Sequence, residues 1–209
     1  MGGLPPESSA RPAVTEGSSK RRFDVKMRRH IKGQTAASTS PMIHVCSLAR
    51  LHETVEATGA GHVVTLLKHT DRVERPRSVA PANHLILGMD DITVPIDGYI
   101  IPCDEHVTAL ITFVRGWDRV RPLVLHCYAG ISRSTAGAYV AACALNPRRD
   151  EWAIARELRR ASATATPNSR LVALADRMLG RDGRMVAAID AIGRGEIAYE
   201  ADPFRLELE

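Results

Sequence analysis

Apolar positions along the chain arrive in short blocks separated by charged or glycine-containing stretches, and the period of each block sets its element. Met42-Ile-His-Val-Cys46 reads as a short buried strand, and His62-Val-Val-Thr-Leu-Leu67, rich in β-branched residues, as a second. Asn83 to Met89 predicts a third strand that runs into the acidic turn Asp90-Asp91, and Leu123 to His126 a fourth. Between them, residues 48 to 58 have helical character and stop at Gly59 and Gly61. Residues 69 to 82 are charged and contain proline, which predicts a loop. Val107, Leu110, Ile111, Val114 and Trp117 share one helical face, so 105 to 117 predict an amphipathic helix with Asp104 as its cap. From Ser134 onward the pattern is helical: an Ala-rich run to about Leu145, then 149 to 161, 169 to 179 and 185 to 192. Pro147, Pro167, Gly180 and Gly183 separate these runs. Strands alternating with helices imply an α/β fold, a mostly parallel central sheet flanked by helices, with a C-terminal helical set on one side.

Charge divides the chain. Its formal net charge is +4, yet residues 1–41 hold Arg11, Lys20, Arg21, Arg22, Lys26, Arg28, Arg29 and Lys32 against Glu7, Glu16 and Asp24. The remainder is therefore near neutral. Gly, Pro, Ser and Thr dominate the rest of the first segment, so 1–41 predict a disordered basic arm, 42–200 the folded domain and 201–209 a C-terminal tail. A basic arm suits nucleic acid, anionic lipid or an acidic partner. No aromatic or amphipathic pattern strengthens it, so a solvated tail, or an extension upstream of a start at Met42, is the plainer reading and no nucleic-acid partner is expected. No run approaches the length of a transmembrane helix. Cys46, Cys103, Cys127 and Cys143 are scattered without C-x-x-C pairs, which favours a reducing, cytoplasmic setting. The histidines show no spacing suited to zinc, and glycine-rich nucleotide fingerprints are absent.

The chemistry concentrates in His126-Cys127-Tyr128-Ala129-Gly130-Ile131-Ser132-Arg133-Ser134, which lies between the apolar run Pro122-Leu-Val-Leu and the Ala-rich helix. A strand, a tight loop and a helix point backbone N–H groups and a helix dipole at an anion. Cysteine begins the loop, where the helix N-terminus and a nearby cation favour its thiolate. Arginine closes it with a planar fork that can take two phosphate oxygens at once. A nucleophile in an oxyanion cradle points to covalent phosphoryl transfer through a phosphocysteine.

These residues resemble the H-C-x5-R-[ST] signature of the cysteine-dependent protein tyrosine phosphatases. His126, Cys127, Arg133 and Ser134 fill its fixed positions and Gly130 its usual glycine. A bare C-x5-R also occurs in rhodanese-like and arsenate-reductase-like loops; the His, Gly and Ser and the flanking strand and helix make the signal specific. The run A-G-I-S-R-S looks most like the dual-specificity branch, and the R-D-G-R-M and I-G-R-G-E segments resemble small predicted bacterial tyrosine phosphatases. The resemblance implies a phosphatase-like fold, a phosphorylated protein as substrate and no metal or cofactor. It implies that Cys127 attacks phosphorus, while Arg133 and the amides of Tyr128, Ala129, Gly130, Ile131, Ser132 and Ser134 hold the oxygens. Ser134 would ease departure of the thiolate, and His126 would sit behind the loop as a support.

Such an enzyme needs a proton donor for the leaving oxygen, an Asp upstream of the signature. Asp91 is the first choice because Asp90-Asp91-Ile92 follows the third strand; Asp97 and Asp90 are the alternatives, and each could equally form a turn or cap. Thr166-Pro167-Asn168 resembles an S-P-N segment of the dual-specificity enzymes, in which Asn168 orients the loop or water, or simply caps the helix at Ser169. Cys46, and after it Cys103, could serve as a resolving thiol, although buried free cysteine is commoner. Arg181, Arg184 and Arg194 read as a solvated face. The alternatives for function are a phosphatase of a phosphoinositide, a sugar phosphate or an RNA 5′-phosphate, or a non-catalytic phosphate-binding module. Tyr128, Ala129 and Ile131 bring no charge to the loop, which argues against polyanionic lipid.

Overall fold

Five strands and six helices build the domain in the computed structural model, which describes residues 42–208. The arm expected over 1–41 lies outside the described residues. β1 (Met42–Ser47), β2 (His62–Leu67), β3 (His84–Gly88), β4 (Leu123–Cys127) and β5 (Phe204–Glu207) form one sheet in the order β3-β2-β4-β1-β5. The first four run parallel, and β5 pairs antiparallel with β1. The sheet is mostly parallel, as the alternation of elements implied.

Helices cover both faces, which is why β4 is buried along its whole length. On one face α1 (Leu51–Thr58) packs Leu51 and Val55 against Cys46, Val63 and Val124. The other face, carrying Ile43, Val45, Val64, Leu66, Leu123 and Leu125, meets a larger core built by α2 (Asp104–Gly116), α3 (Arg133–Leu145), α4 (Glu151–Ala161), α5 (Ser169–Met178) and α6 (Arg184–Ile192). All thirteen residues of α3 are buried. Its alanines let sheet and neighbouring helices approach from every side, so a helix with little amphipathic pattern sits at the centre. Each fully buried Leu or Ile of this core contributes about 1.5–3 kcal/mol.

Three expectations are corrected. Residues 201–208 are not a tail, because β5 joins the sheet with Phe204, Leu206 and Leu208 buried and Arg205 and Glu207 exposed. Asp104 is not the cap of α2; it is the first helical residue and pairs with Arg177 at 2.6 Å, while Cys103 occupies the cap position. Arg181 is not solvated: it is buried, 2.6 Å from the Glu151 carboxylate and 2.7 Å from the Cys143 carbonyl. Arg184, half exposed, reaches the other oxygen of Glu151 at 3.3 Å. Burial pushes the Glu151 carboxyl up, but hydrogen bonds from its own backbone, Arg184 and Arg181 hold it below the ordinary range.

Candidate active site

Cys127 ends β4 and Arg133 begins α3, so the loop between them lies beyond the carboxyl ends of the central strands, where open α/β sheets place ligands. The scaffold ties down four of the loop's carbonyls. Leu48 N–H donates to Tyr128 O at 3.1 Å, Ala201 N–H to Ala129 O at 2.9 Å and Thr166 N–H to Ile131 O at 3.0 Å. Ser132 O accepts from Ala136 N–H at 2.9 Å and Asn168 N–H at 3.3 Å. The N–H groups of Ala129 to Ser132 have no acceptor among the described residues. With outward groups bonded and inward ones free, the loop is a ready anion cradle. Gly130 makes the turn possible: its φ is +76°, and a Cβ there would stand 3.0 Å from the backbone of Cys46 and Ser47.

The Cys127 thiol is buried, 3.0 Å from the Ser134 hydroxyl. Arg133 is 8% exposed and donates through Nη1 to Met89 O at 2.8 Å. Its Nε is buried and has no hydrogen-bond partner, the nearest carboxylate oxygen, Oδ2 of Asp91, being 3.9 Å away. An orphaned donor on a buried cation marks the place where an acceptor oxygen belongs.

The three aspartates lie in different surroundings. Asp91 stands over the loop, its Oδ1 accepting 2.8 Å hydrogen bonds from Ser132 Oγ and from Asn168 Nδ2. Asp90 is buried and turned away, exchanging 2.8 Å bonds with the backbone of Ile100, so it closes the base of the 91–99 loop. Asp97 is exposed further along that loop, with no hydrogen bond or ion pair from its side chain to the cradle. Asn168 is the cap of α5, its side-chain oxygen accepting from Leu171 N–H at 3.1 Å, and its NH2 donates to Asp91, a contact the sequence did not suggest.

His126 lies behind the loop, fully buried. Its Nε2 meets the hydroxyl of Thr65, its neighbour across the sheet, at 2.7 Å, and the same hydroxyl meets Nε2 of His84 at 2.8 Å. A hydroxyl has one proton and two lone pairs, so with both rings bound at least one imidazole donates to it. Nδ1 of His126 lies against the backbone of Cys127 without a well-formed hydrogen bond. Burial, followed by the charge of His84, pushes the His126 pKa down to about 4, so the ring is neutral at pH 7.

Neither candidate resolving thiol is poised. Cys46 pairs in register with His126 rather than Cys127 and packs in the α1 cluster, away from the core that holds Cys127. Burial pushes its thiol up to about 12. Cys103 sits at the start of α2, its thiol raised by burial and 3.1 Å from His106 Nδ1. Among the described residues no three His, Cys, Asp or Glu side chains group to hold a metal ion, and no helix is long and apolar enough to cross a membrane.

Several contributors carry no sequence signature. Thr65 hides inside a strand pattern, and Met89 acts through its carbonyl. The C-terminal strap, residues 193–203, was invisible for another reason: it works by long-range contact. Glu196 N–H bonds Ala163 O at 3.0 Å, Ser47 Oγ donates to the Glu200 carboxylate, and Ala201 holds the cradle as above.

No protein-family model matches the chain, and no curated protein matches its sequence. Solved structures do match. A mouse phosphatase assigned to the dual-specificity class, in complex with zinc tungstate, superposes with a TM-score of 0.53 at 16% identity, covering 75% of this chain and 97% of its own. DUSP15 gives 0.50 at 15% identity, over 77% and 97%. The PTP-2 phosphatase of Cydia pomonella gives 0.50 at 16%, over 65% and 84%. Over the described residues, this chain therefore has the fold of the cysteine-dependent tyrosine phosphatases, in its dual-specificity-like form.

Proposed function

We propose that this chain is a phosphomonoester hydrolase, a protein tyrosine phosphatase with dual-specificity reach, working through a phosphocysteine. The observation that carries the reading is the buried Nε of Arg133, without a hydrogen bond, inside the loop that Cys127 begins, whose Tyr128, Ala129, Ile131 and Ser132 carbonyls are bonded to the scaffold.

The steps follow from the placements. The Cys127 thiolate attacks phosphorus while Arg133 and the loop amides hold the non-bridging oxygens. The bond to the leaving oxygen breaks, and Asp91 gives that oxygen its proton. Asp91, now a carboxylate, takes a proton from water, whose oxygen attacks the phosphocysteine. The S–P bond breaks, and the Ser134 hydroxyl donates to the returning thiolate. His126 supports the loop from behind as a neutral ring. Arg133 is the single charged side chain in the cradle, so one phosphate on one ester oxygen suits it better than a polyphosphate. Phosphotyrosine, phosphoserine and lipid head-group substrates assayed together, with Cys127→Ser as control, test the reading. Release of phosphate from phosphotyrosyl peptide that Cys127→Ser abolishes is expected; undiminished turnover in that variant rejects the mechanism.

A further inference from the structure

Beside the cradle runs a groove of about 790 Å³. Ile131 and Ser132 of the loop, together with Asp91 and Asn168, form the end that it shares with the candidate active site. Two segments without regular structure supply its exposed apolar walls, and α6 adds Ile189 and Asp190. The acid loop contributes Val94 and Ile96, 62% and 47% exposed, and the C-terminal strap contributes Ile197, 96% exposed. Tyr199, two residues on, is fully exposed beside it.

Large apolar side chains left open at both walls of one groove are costly in water, and such patches mark interaction sites. The strap itself is anchored at both ends. Gly195 lies so close under Thr164 that a Cβ would stand 2.5 Å from its carbonyl carbon, and Ala201 bonds the cradle. Between Glu196 and Ala201, residues 197 to 200 make no backbone hydrogen bond with other described residues. Their N–H and C=O groups are free to pair with an added extended chain.

Charge narrows the occupant. Asp91, Asp190 and Glu196 line the groove against Arg194 alone. With Asp91 holding the proton it donates, Asp190 and Glu196 still outnumber the one guanidinium, so the groove disfavours a second phosphate, a nucleic acid backbone or an anionic membrane. It tolerates a neutral chain and favours a basic one.

We propose that this groove is the docking subsite for the peptide flanking the phosphorylated residue of a protein substrate, with apolar side chains of that peptide seated among Val94, Ile96 and Ile197. The inference rests on the phosphatase reading and names its substrate class: an extended peptide with apolar, neutral or basic flanks. Glu196 and Asp190 reject acidic flanks, and the strap supplies specificity while Asp91 and the cradle supply chemistry.

The test compares Ile197→Asp and Ile96→Asp with the native protein on three substrates. These are a phosphotyrosyl peptide with Leu and Lys flanks, the same peptide with Glu flanks, and p-nitrophenyl phosphate, which ends at the cradle. The native protein is expected to prefer the first peptide over the second by about tenfold in kcat/KM, a difference the size of one good apolar contact. Each variant is expected to lose about tenfold on the first peptide, through KM, and to leave the aryl phosphate unchanged. Equal loss on peptide and aryl phosphate, or no loss on either, overturns the groove. Variants that change turnover of a soluble phosphoinositide and not of the peptide overturn it too. Fluorescence anisotropy of the labelled Leu/Lys peptide on Cys127→Ser, with and without Ile197→Asp, reads the groove apart from catalysis. Affinity unaffected by Ile197→Asp overturns the groove even in an active enzyme. Binding that depends on Ile197 in a protein whose native form turns nothing over overturns the hydrolase reading instead.

Discussion

One Asn168 side chain joins the fold to the candidate chemistry: its oxygen caps α5 at 3.1 Å from Leu171 N, and its NH2 lies 2.8 Å from the Asp91 carboxylate. Replacement by Ala removes both bonds. Asn168→Ala is therefore expected to lower stability by about 0.5–2 kcal/mol, the cost of a lost cap, and to lower kcat as well. Asn168→Ser separates the two effects because its hydroxyl keeps a capping oxygen and it has no NH2 to reach Asp91. Thermal unfolding is expected to stay near native while kcat falls. Native kcat in Asn168→Ser would remove Asn168 from the chemistry.

Asp91→Asn is expected to lower kcat by about 10²–10⁴-fold on phosphotyrosyl peptide, the usual contribution of a positioned proton donor. The loss is smaller for aryl phosphates whose phenols leave without a proton. The fall of activity with rising pH that a protonated donor imposes is expected to vanish. Asp97→Asn, altering an exposed side chain without a hydrogen bond to the cradle, is expected to leave both features unchanged. A pH–rate profile of the two variants checks this.

Acid is expected to destabilise the fold through His126. Its folded pKa of about 4 lies below the ordinary 6.5, so the unfolded chain binds the proton more readily. The neutral ring's contribution is fully present above pH 6.5 and is lost as pH falls through 4. It is on the order of 3 kcal/mol for a shift of this size. His44, His62, His84 and His106 are lowered mainly by burial and act in the same direction. Urea midpoints are expected to drop between pH 7 and pH 4.5, and His126→Asn is expected to narrow the drop. An unaltered pH slope in that variant would contradict the assignment.

Glu151→Ala is expected to cost about 3–5 kcal/mol by leaving Arg181 buried and unpaired. The pair lies at the α4–α6 side of the core, so the folded fraction should turn over substrate at the native rate. Chemical denaturation and active-site titration together check both halves.

Much of this molecule is legible in its pattern of apolar positions. β2 spans His62–Leu67 as read, and the six helices fall within two or three residues of their expected ends, because each carries its own period and its own Gly or Pro stop. β5 was missed although Phe204, Leu206 and Leu208 alternate with Arg205 and Glu207. Four residues at a chain end give too little period to weigh against a tail. Arg181 was misread since its partner, Glu151, lies thirty residues away and only packing brings them together. Within the candidate site, the cradle's residue types announced themselves, and Asp91, taken from its place after the third strand, accepts a hydrogen bond from Ser132 of that loop; its role as the acid is a proposal. The strap, Thr65 and the Met89 carbonyl act through backbone atoms or cross-sheet contact, which no local spacing encodes.

The phosphocysteine is the centre of the account, and it can be caught directly. With an aryl phosphate whose phenol leaves unaided, Asp91→Asn still forms the adduct but has lost the base that activates water. Mass spectrometry of the quenched variant is expected to find phosphate on the peptide containing Cys127, approaching one per molecule, and none after Cys127→Ser is added to the same background. Phosphate on another residue, or turnover that survives Cys127→Ser, would contradict it.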